Sequence, residues 1–353
     1  MTDLTLLVGG REYGGWQEVS VTRSMEAVAG SFSVRVSERW AGQDTRWPIR
    51  PFDAVRVLMG GHRVVSGYVD SVRPAFDSGQ HAVTITGRDK TGDLVDCSAV
   101  HSPGEWRGLD LVRLAGVLCK PFGVSVRAAV GVGAAFDVFK LQPGETAWEA
   151  IDRAARMRGV LVMSDGAGGL VITRAGQGRA TTALVQGANI LAASGEYQAT
   201  ERYSDYTVKG QHFGTDELNG EAAATVQATA SDSGVPRYRP LVVIAETAVA
   251  LGGARDRAQW EATVRAARAD RVTVTVQGWQ QEDGSLWPVN ALVNLRSSWL
   301  GIDGDMLITG VRYNLGGQGT TTELTLARPD AFTPEPIVGK SGLGNIWESV
   351  FRD

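Results

Sequence analysis

Val55-Arg56-Val57-Leu58-Met59-Gly60-Gly61-His62-Arg63-Val64-Val65-Ser66-Gly67-Tyr68-Val69 decides the fold. Two runs rich in β-branched residues meet across a Gly-Gly pair, which supplies the positive φ angles that a tight hairpin turn needs. The same grammar extends outward on both sides. Leu4, Leu6 and Val8 alternate before the Gly9-Gly10 turn, and Val19-Ser20-Val21-Thr22 and Phe32-Ser33-Val34-Arg35-Val36 flank a loop. His81-Ala82-Val83-Thr84-Ile85-Thr86 follows downstream. Strands this short and turns this frequent predict a small antiparallel barrel or sandwich over residues 1–97.

Beyond it the period changes. Leu109, Leu111, Val112, Leu114, Ala115 and Leu118 form a helical apolar face that ends before Pro121. A second helix starts at Thr146, where Thr146 and Glu149 have capping-box spacing, and ends at Gly159. A hairpin follows, Val160-Leu161-Val162-Met163 and Leu170-Val171-Ile172-Thr173 around an Asp165-Gly166 turn. Residues 98–195 therefore read as an α+β domain, helices on a small sheet. Residues 215–240, rich in Ala, Thr, Ser and Gly, read as a loop, and 251–269 as a helix. Val272-Thr273-Val274-Thr275-Val276 returns to strand, and β character persists to Leu326.

Two distant segments carry the same marks in the same order. Trp47-Pro48, Asp53-Ala54-Val55-Arg56-Val57, Val65-Ser66-Gly67-Tyr68-Val69 and Val83-Thr84-Ile85-Thr86-Gly87-Arg88-Asp89 form the first set. Trp287-Pro288, Asn290-Ala291-Leu292-Val293-Asn294-Leu295, Ile308-Thr309-Gly310-Val311 and Leu324-Thr325-Leu326-Ala327-Arg328-Pro329-Asp330 form the second. Trp to Arg spans 41 positions in each (88 − 47 and 328 − 287). The glycine after Ser66 or Thr309 suits a bulge or a close backbone approach. The expected fold is mainly β with α+β insertions: two related small antiparallel β-barrels plus a helix-containing domain. The expected boundaries are 1–97 for the first barrel and 98–195 for the α+β domain. The second barrel takes 196–214 and 271–330, with its early strand near Tyr206-Thr207-Val208. A loop-and-helix insertion at 215–270 splits it, and 331–353 forms a C-terminal tail.

Composition limits the chemistry. Net charge is −4, so no broad basic field for nucleic acid is present. Cys97 and Cys119 match no zinc or disulfide spacing and read as small buried residues, which points to folding in a reducing compartment. Neither a signal peptide nor a membrane-spanning apolar run is visible. Gly339-Lys340-Ser341 lacks the earlier glycine of a phosphate-binding loop, since Pro334 stands there, and Gly131-Val132-Gly133 meets Phe136 where a dinucleotide fingerprint needs glycine. His62, His81, His101 and His212 are too scattered for a metal site. Asp303-Gly304-Asp305 reads as a turn between strands, too short for a calcium loop. No segment singles out a catalytic carboxylate pair, so no cofactor, metal or catalytic residue is expected and the chain reads as a non-enzyme. The one local candidate is the tail: Ile346, Trp347, Val350 and Phe351 have i, i+4 spacing. They would bury an apolar face against a partner or against their own subunit.

The sequence resembles the baseplate hub proteins of Mu-like contractile-tailed bacteriophages. The resemblance is carried by Leu4-Thr5-Leu6, Gly9-Gly10, Tyr13-Gly14-Gly15-Trp16 and Val21-Thr22-Arg23-Ser24-Met25-Glu26, then by Ala29-Gly30-Ser31-Phe32-Ser33 and Arg50-Pro51-Phe52-Asp53. It continues through Gly67-Tyr68-Val69, Ile85-Thr86-Gly87-Arg88-Asp89, Glu145-Thr146-Ala147-Trp148-Glu149-Ala150 and Val274-Thr275-Val276-Gln277-Gly278-Trp279. It implies a structural homotrimer in the virion tail, assembled in the host cytoplasm, with two related barrels per chain giving pseudo-sixfold symmetry. Its implied partners are a hexameric tail tube, other baseplate proteins and a trimeric membrane-piercing spike protein. Two other readings stay open: a polysaccharide-binding or cleaving tail protein, which needs a carboxylate pair in a cleft, and the hub of a bacteriocin or type VI secretion spike.

Overall fold

The alternation at the N-terminus becomes strands β1 (Leu4–Val8), β2 (Arg11–Tyr13), β3 (Glu18–Ser24), β4 (Ser31–Ser37), β5 (Ala54–Met59), β6 (His62–Phe76) and β7 (His81–Asp89). The computed structural model describes residues 4–37, 48–78, 81–210, 226–244 and 251–336. Gly60 and Gly61 adopt φ of 55° and 82° at the β5–β6 turn, as the quoted hairpin requires. Phe32, Val34 and Val36 all point into the core from β4. A one-residue slip would turn all three outward at roughly 1.5–3 kcal/mol each, so burial fixes the register.

The insertion that follows holds α1 (Gly92–Asp96), β8 (Glu105–Trp106), α2 (Leu111–Cys119), β9 (Val126–Ala128), β10 (Phe139–Lys140), α3 (Ala147–Arg156), β11 (Leu161–Ser164) and β12 (Leu170–Thr173). Asp110 caps α2 by accepting the Arg113 N–H at 2.8 Å. The capping box forms as expected: the Glu149 N–H donates to Thr146 Oγ1 at 3.1 Å, and the Thr146 N–H to Glu149 Oε2 at 2.7 Å. Leu111, Leu114 and Leu118 of α2 pack with Ala150, Ile151 and Ala154 of α3 over Leu170 and Ile172 of β12. Asp165 orders the β11–β12 turn by accepting N–H bonds from Ala167 and Gly169.

Three more strands, β13 (Gly178–Arg179), β14 (Leu184–Val185) and β15 (Ile190–Tyr197), come before β16 (Asp205–Gly210), β17 (Val226–Ser231), β18 (Pro240–Ile244) and α4 (Leu251–Arg268). The chain closes with β19 (Asp270–Gln277), β20 (Ala291–Ser297), β21 (Ile302–Gly316) and β22 (Gly319–Ala327). Two compact units result, Met1–Gly195 with Val272–Ala327, and Glu196–Arg271 with Arg328–Asp353. The chain is mainly β with a few helices.

In the first unit the described strands form a 14-stranded sheet, ordered β15-β19-β22-β21-β3-β4-β7-β6-β5-β1-β2, with β20 beside β21 and β13 and β14 beside β20. The sheet runs from one module into the other through the β3–β21 pair. Both modules feed one core: Leu6, Val34, Val57 and Ile85 join Val274, Leu295, Val311 and Leu326.

In the second unit β16 pairs antiparallel with β17 and parallel with β18. Val208 on β16 packs with Ala254 and Ala258 of α4. The Tyr206-Thr207-Val208 strand thus belongs to this separate sheet, not to the second copy of the repeat; the strand that joins β19 there is β15. Tyr206 and Val208 alternate because a helix covers one face of β16. Within the expected loop at 215–240, the described residues from 226 onward hold the strand β17, whose small residues Ala228 and Ala230 face the same cluster. Asp303-Gly304-Asp305 lies within β21, opposite Arg296, Leu295 and Asn294, and is not a turn. Cys119 is buried as expected, but Cys97 is exposed, one residue past the end of α1.

The repeat is visible in three strands taken twice. β6 and β21 are each 15 residues long, and β7 and β22 are each 9. Each long strand pairs with β5 or β20 along its first half and with β7 or β22 along its second. A register shift falls between Val69 and Ser71 in one copy and between Ile308 and Gly310 in the other. Phe52 and Asn290 are the two non-glycine residues with left-handed backbone among those described, at φ 74° and 64°. Phe52 donates its N–H to Val69 O at 2.8 Å, and Asn290 donates to Ile308 O at 2.9 Å. These marks align Gly310 with Ser71, four positions from the glycine with which the sequence pattern pairs it. A period of two carries no absolute register, so Gly67 and Gly310 share a motif without sharing a place.

Candidate assembly interface

The long strands set the geometry that matters. In the second copy, β3 lies along the second half of β21, with Gly310 opposite Ser24 through Leu315 opposite Val19. That cover buries Val311 and Tyr313 to 1% exposure. Tyr313 also donates its hydroxyl to Trp287 O at 2.6 Å, and burial pushes its phenol well above the usual range.

The matching stretch of the first copy is Ser71–Phe76. It pairs with Thr86–His81 of β7 on one side. On the other side no strand lies among the described residues, because β5 reaches only to Tyr68. Every side chain from Arg73 to Phe76 is exposed, Phe76 at 80%. Phe76 stacks on the His81 ring across the ladder, 5.5 Å away.

The second open edge belongs to β15, which ends the sheet order beyond β19. By position in that order it is the second copy's counterpart of β3. Val19 and Val21 of β3 are buried, whereas β15 is exposed from Leu191 onward. Residues 190–195 read Ile-Leu-Ala-Ala-Ser-Gly and carry no charge. The far end of the order, β2, is three residues long and exposes Arg11 and Glu12, the usual protection of an edge.

Polar clusters elsewhere have structural work. Asp89 accepts from Ser164 Oγ at 3.1 Å and from the Thr91 N–H at 3.1 Å, tying β7 to β11; burial raises its carboxyl above the usual range. Arg88 holds Asp70, the extra residue of the β6 bulge, at 2.8 Å and Asp96 at 2.6 Å, and lowers the Asp96 carboxyl. In the second unit Glu261 bridges Arg257 and Arg265 along α4 at 2.8 and 2.7 Å. The Trp260 indole donates to Thr333 O at 2.8 Å and Arg268 to Ala331 O at 3.0 Å, so residues 331–333 lie along that helix. No group of three or more His, Cys, Asp or Glu side chains is placed to hold a metal among the described residues. No described helix is long and apolar enough to cross a membrane.

Large apolar side chains on the surface include Phe52 at 90% and Trp299 at 87% exposed. The tail candidates Ile346, Trp347, Val350 and Phe351 lie outside the described residues, as do His212 and Gly339-Lys340-Ser341. Sequence reading missed both edges, because an edge is defined by which neighbour is absent, here among the described residues. The signal that pointed there was the repeat itself.

Four protein families match along the chain. Residues 3–89 match the N-terminal domain of Mu phage baseplate assembly protein GpP-like proteins, and 91–174 the second domain of gp44-like baseplate hub proteins. Residues 202–260 match the third domain of NMB1110-like tail proteins, and 250–335 the fourth domain of Mu phage GpP. Baseplate hub protein gp44 of Escherichia phage Mu is 38% identical over 338 residues, covering 93% of this chain and 88% of the relative. The 43 kDa tail protein of prophage MuSo2 from Shewanella oneidensis superposes with a TM-score of 0.85 at 34% identity, over 94% of this chain and 99% of the other. The tail protein from Neisseria meningitidis MC58 shares the fold at TM-score 0.79 and 24% identity, over 94% and 98% of the two chains.

Proposed function

The chain belongs to the family of baseplate hub proteins of Mu-like bacteriophage tails, and we propose that three copies form the centre of the tail tip, joining a sixfold tail tube to a threefold membrane-piercing spike. One observation carries this reading: the β5–β6–β7 unit recurs as β20–β21–β22 within one sheet. Three chains each presenting two similar units offer six similar docking faces, and a three-chain ring offers the spike its own symmetry. The role is structural, with assembly in the host cytoplasm and residence in the virion tail. Exposed aromatics such as Phe52 and Trp299 are suited to anchor partners, at roughly 2 kcal/mol or more each when fully buried.

The test is mass in solution, alone and with the phage's spike and tube proteins. The expected particle is three times 37.6 kDa, and it gains mass when either protein is added. A species that stays monomeric at tens of micromolar, alone and with both proteins, removes the reading. Hydrolysis of peptidoglycan or capsule by the purified chain would replace it with the tail-enzyme alternative.

A further inference from the structure

The repeat that makes the two modules alike also shows where they differ. The β5–β6 turn of the first copy is the pair Gly60-Gly61, and it carries none of the large apolar side chains exposed among the described residues. The matching β20–β21 turn of the second copy is the longer Ser298-Trp299-Leu300-Gly301, and it holds the Trp299 side chain 87% exposed. Several groups keep that turn still. Gln186, just past β14, donates its N–H to Arg296 O at 2.9 Å, and its Oε1 accepts from Ser297 Oγ at 2.7 Å and from the Trp299 N–H at 3.2 Å. Ser297 Oγ accepts the Leu300 N–H at 3.2 Å, Leu300 packs against the core, and Gly301 closes the turn with φ of 67°. An aromatic side chain displayed on a fixed backbone loses little freedom on binding, which is the character of an interface anchor.

Symmetry decides which partner meets it. A sixfold tube requires the two modules of each chain to look alike, so a side chain carried by one module alone stands at only three of six places. A threefold partner meets that side chain once on each of its own subunits. We infer, on the three-chain reading above, that Trp299 anchors the spike: three indoles, one per chain, seat in three equivalent pockets of the threefold spike protein. Each pocket needs apolar walls for the rings and an acceptor for the indole N–H. The area is sufficient. A buried Trp covers about 150–250 Å², so three supply more than half of the roughly 800 Å² that a stable interface buries on each partner.

Trp299→Ala in the full chain tests the anchor. Affinity for the phage's spike protein should fall at least about tenfold. Mass in solution, affinity for the tube protein and melting temperature should stay those of the parent chain, because the side chain is exposed. A second measurement needs no variant. N-bromosuccinimide oxidises exposed indoles, so the tryptic peptide spanning residues 297–312 should be oxidised at Trp299 in the free hub. Bound spike protein should protect it, and bound tube protein should not. An unchanged spike affinity, or Trp299 oxidised as readily in the spike complex as in the free hub, overturns the anchor and leaves the hub reading standing. Protection by the tube protein instead, or loss of the three-chain mass in Trp299→Ala, overturns it as well, since the turn then serves the tube or a contact between copies. A parent chain that neither forms a three-chain particle nor binds the spike protein overturns the hub reading and the anchor together.

Discussion

Gly67→Ala and Gly310→Ala, made side by side, should have very different effects although the two glycines sit in matching sequence motifs. A Cβ built on Gly67 would lie 1.9 Å from Arg88 O and 2.7 Å from Asp89 C and Lys90 N. All three are backbone atoms of β7 and its end, so relief requires moving the ladder. On Gly310 the nearest atoms are the Thr325 Cβ and Oγ1 at 3.5 Å, ordinary contact. Neither glycine has the left-handed backbone that would itself penalise alanine. Alanine gains about 0.4–1 kcal/mol by restricting the unfolded chain, whereas overpacking costs about 1–3 kcal/mol or more. At Gly67 the clash wins, because no side chain can swing aside. The expected loss there is about 3 kcal/mol, or roughly 6–12 °C in melting temperature for a unit of this size. At Gly310 the expected change runs from neutral to about 1 kcal/mol of gain. Calorimetry on the whole chain checks both, reading the transition of the larger unit. Equal losses at the two positions would refute the four-residue offset between motif and structure, and a harmless Gly67→Ala would refute the close approach of β6 and β7.

Thr146→Ala removes one arm of the capping box and should cost about 1 kcal/mol, with faster amide exchange at Glu149, while Thr146→Ser should restore most of it. Unchanged exchange would mean that packing alone holds the start of α3. In the native protein one thiol should react promptly with a thiol reagent and the other only on unfolding: Cys97 is exposed, and burial pushes Cys119 up to about 12. Prompt titration of two thiols would contradict the packing around α2.

The sequence was most legible where one face of an element is buried and its ends carry caps. The Gly60-Gly61 hairpin, the α2 and α3 boundaries and the β11–β12 hairpin all have that character. It was least legible at β15, where Leu191-Ala192-Ala193-Ser194-Gly195 has no buried face in one chain to impose alternation. β16 misled for the opposite reason, since Tyr206 and Val208 show the alternation of a repeat strand but answer to α4. β17 was hidden by its small residues, which fit closely under a helix and look like loop composition. The duplication itself could be read, but not its register, which rests on a bulge and on the left-handed residues Phe52 and Asn290.

The β3–β21 ladder joins residues from opposite ends of the chain, with Ser24 facing Gly310. During synthesis at roughly 5–20 residues per second, β3 emerges about 15–60 s before its partner exists. Through that interval the nascent first module displays the same kind of edge as β15, which has no outer strand among the described residues. Two nascent chains on one message could therefore trade these strands, each completing the other's sheet. The 15-residue length of β21 limits this by letting β20 and β22 dock first and deliver a preformed receiving edge to β3 of the same chain.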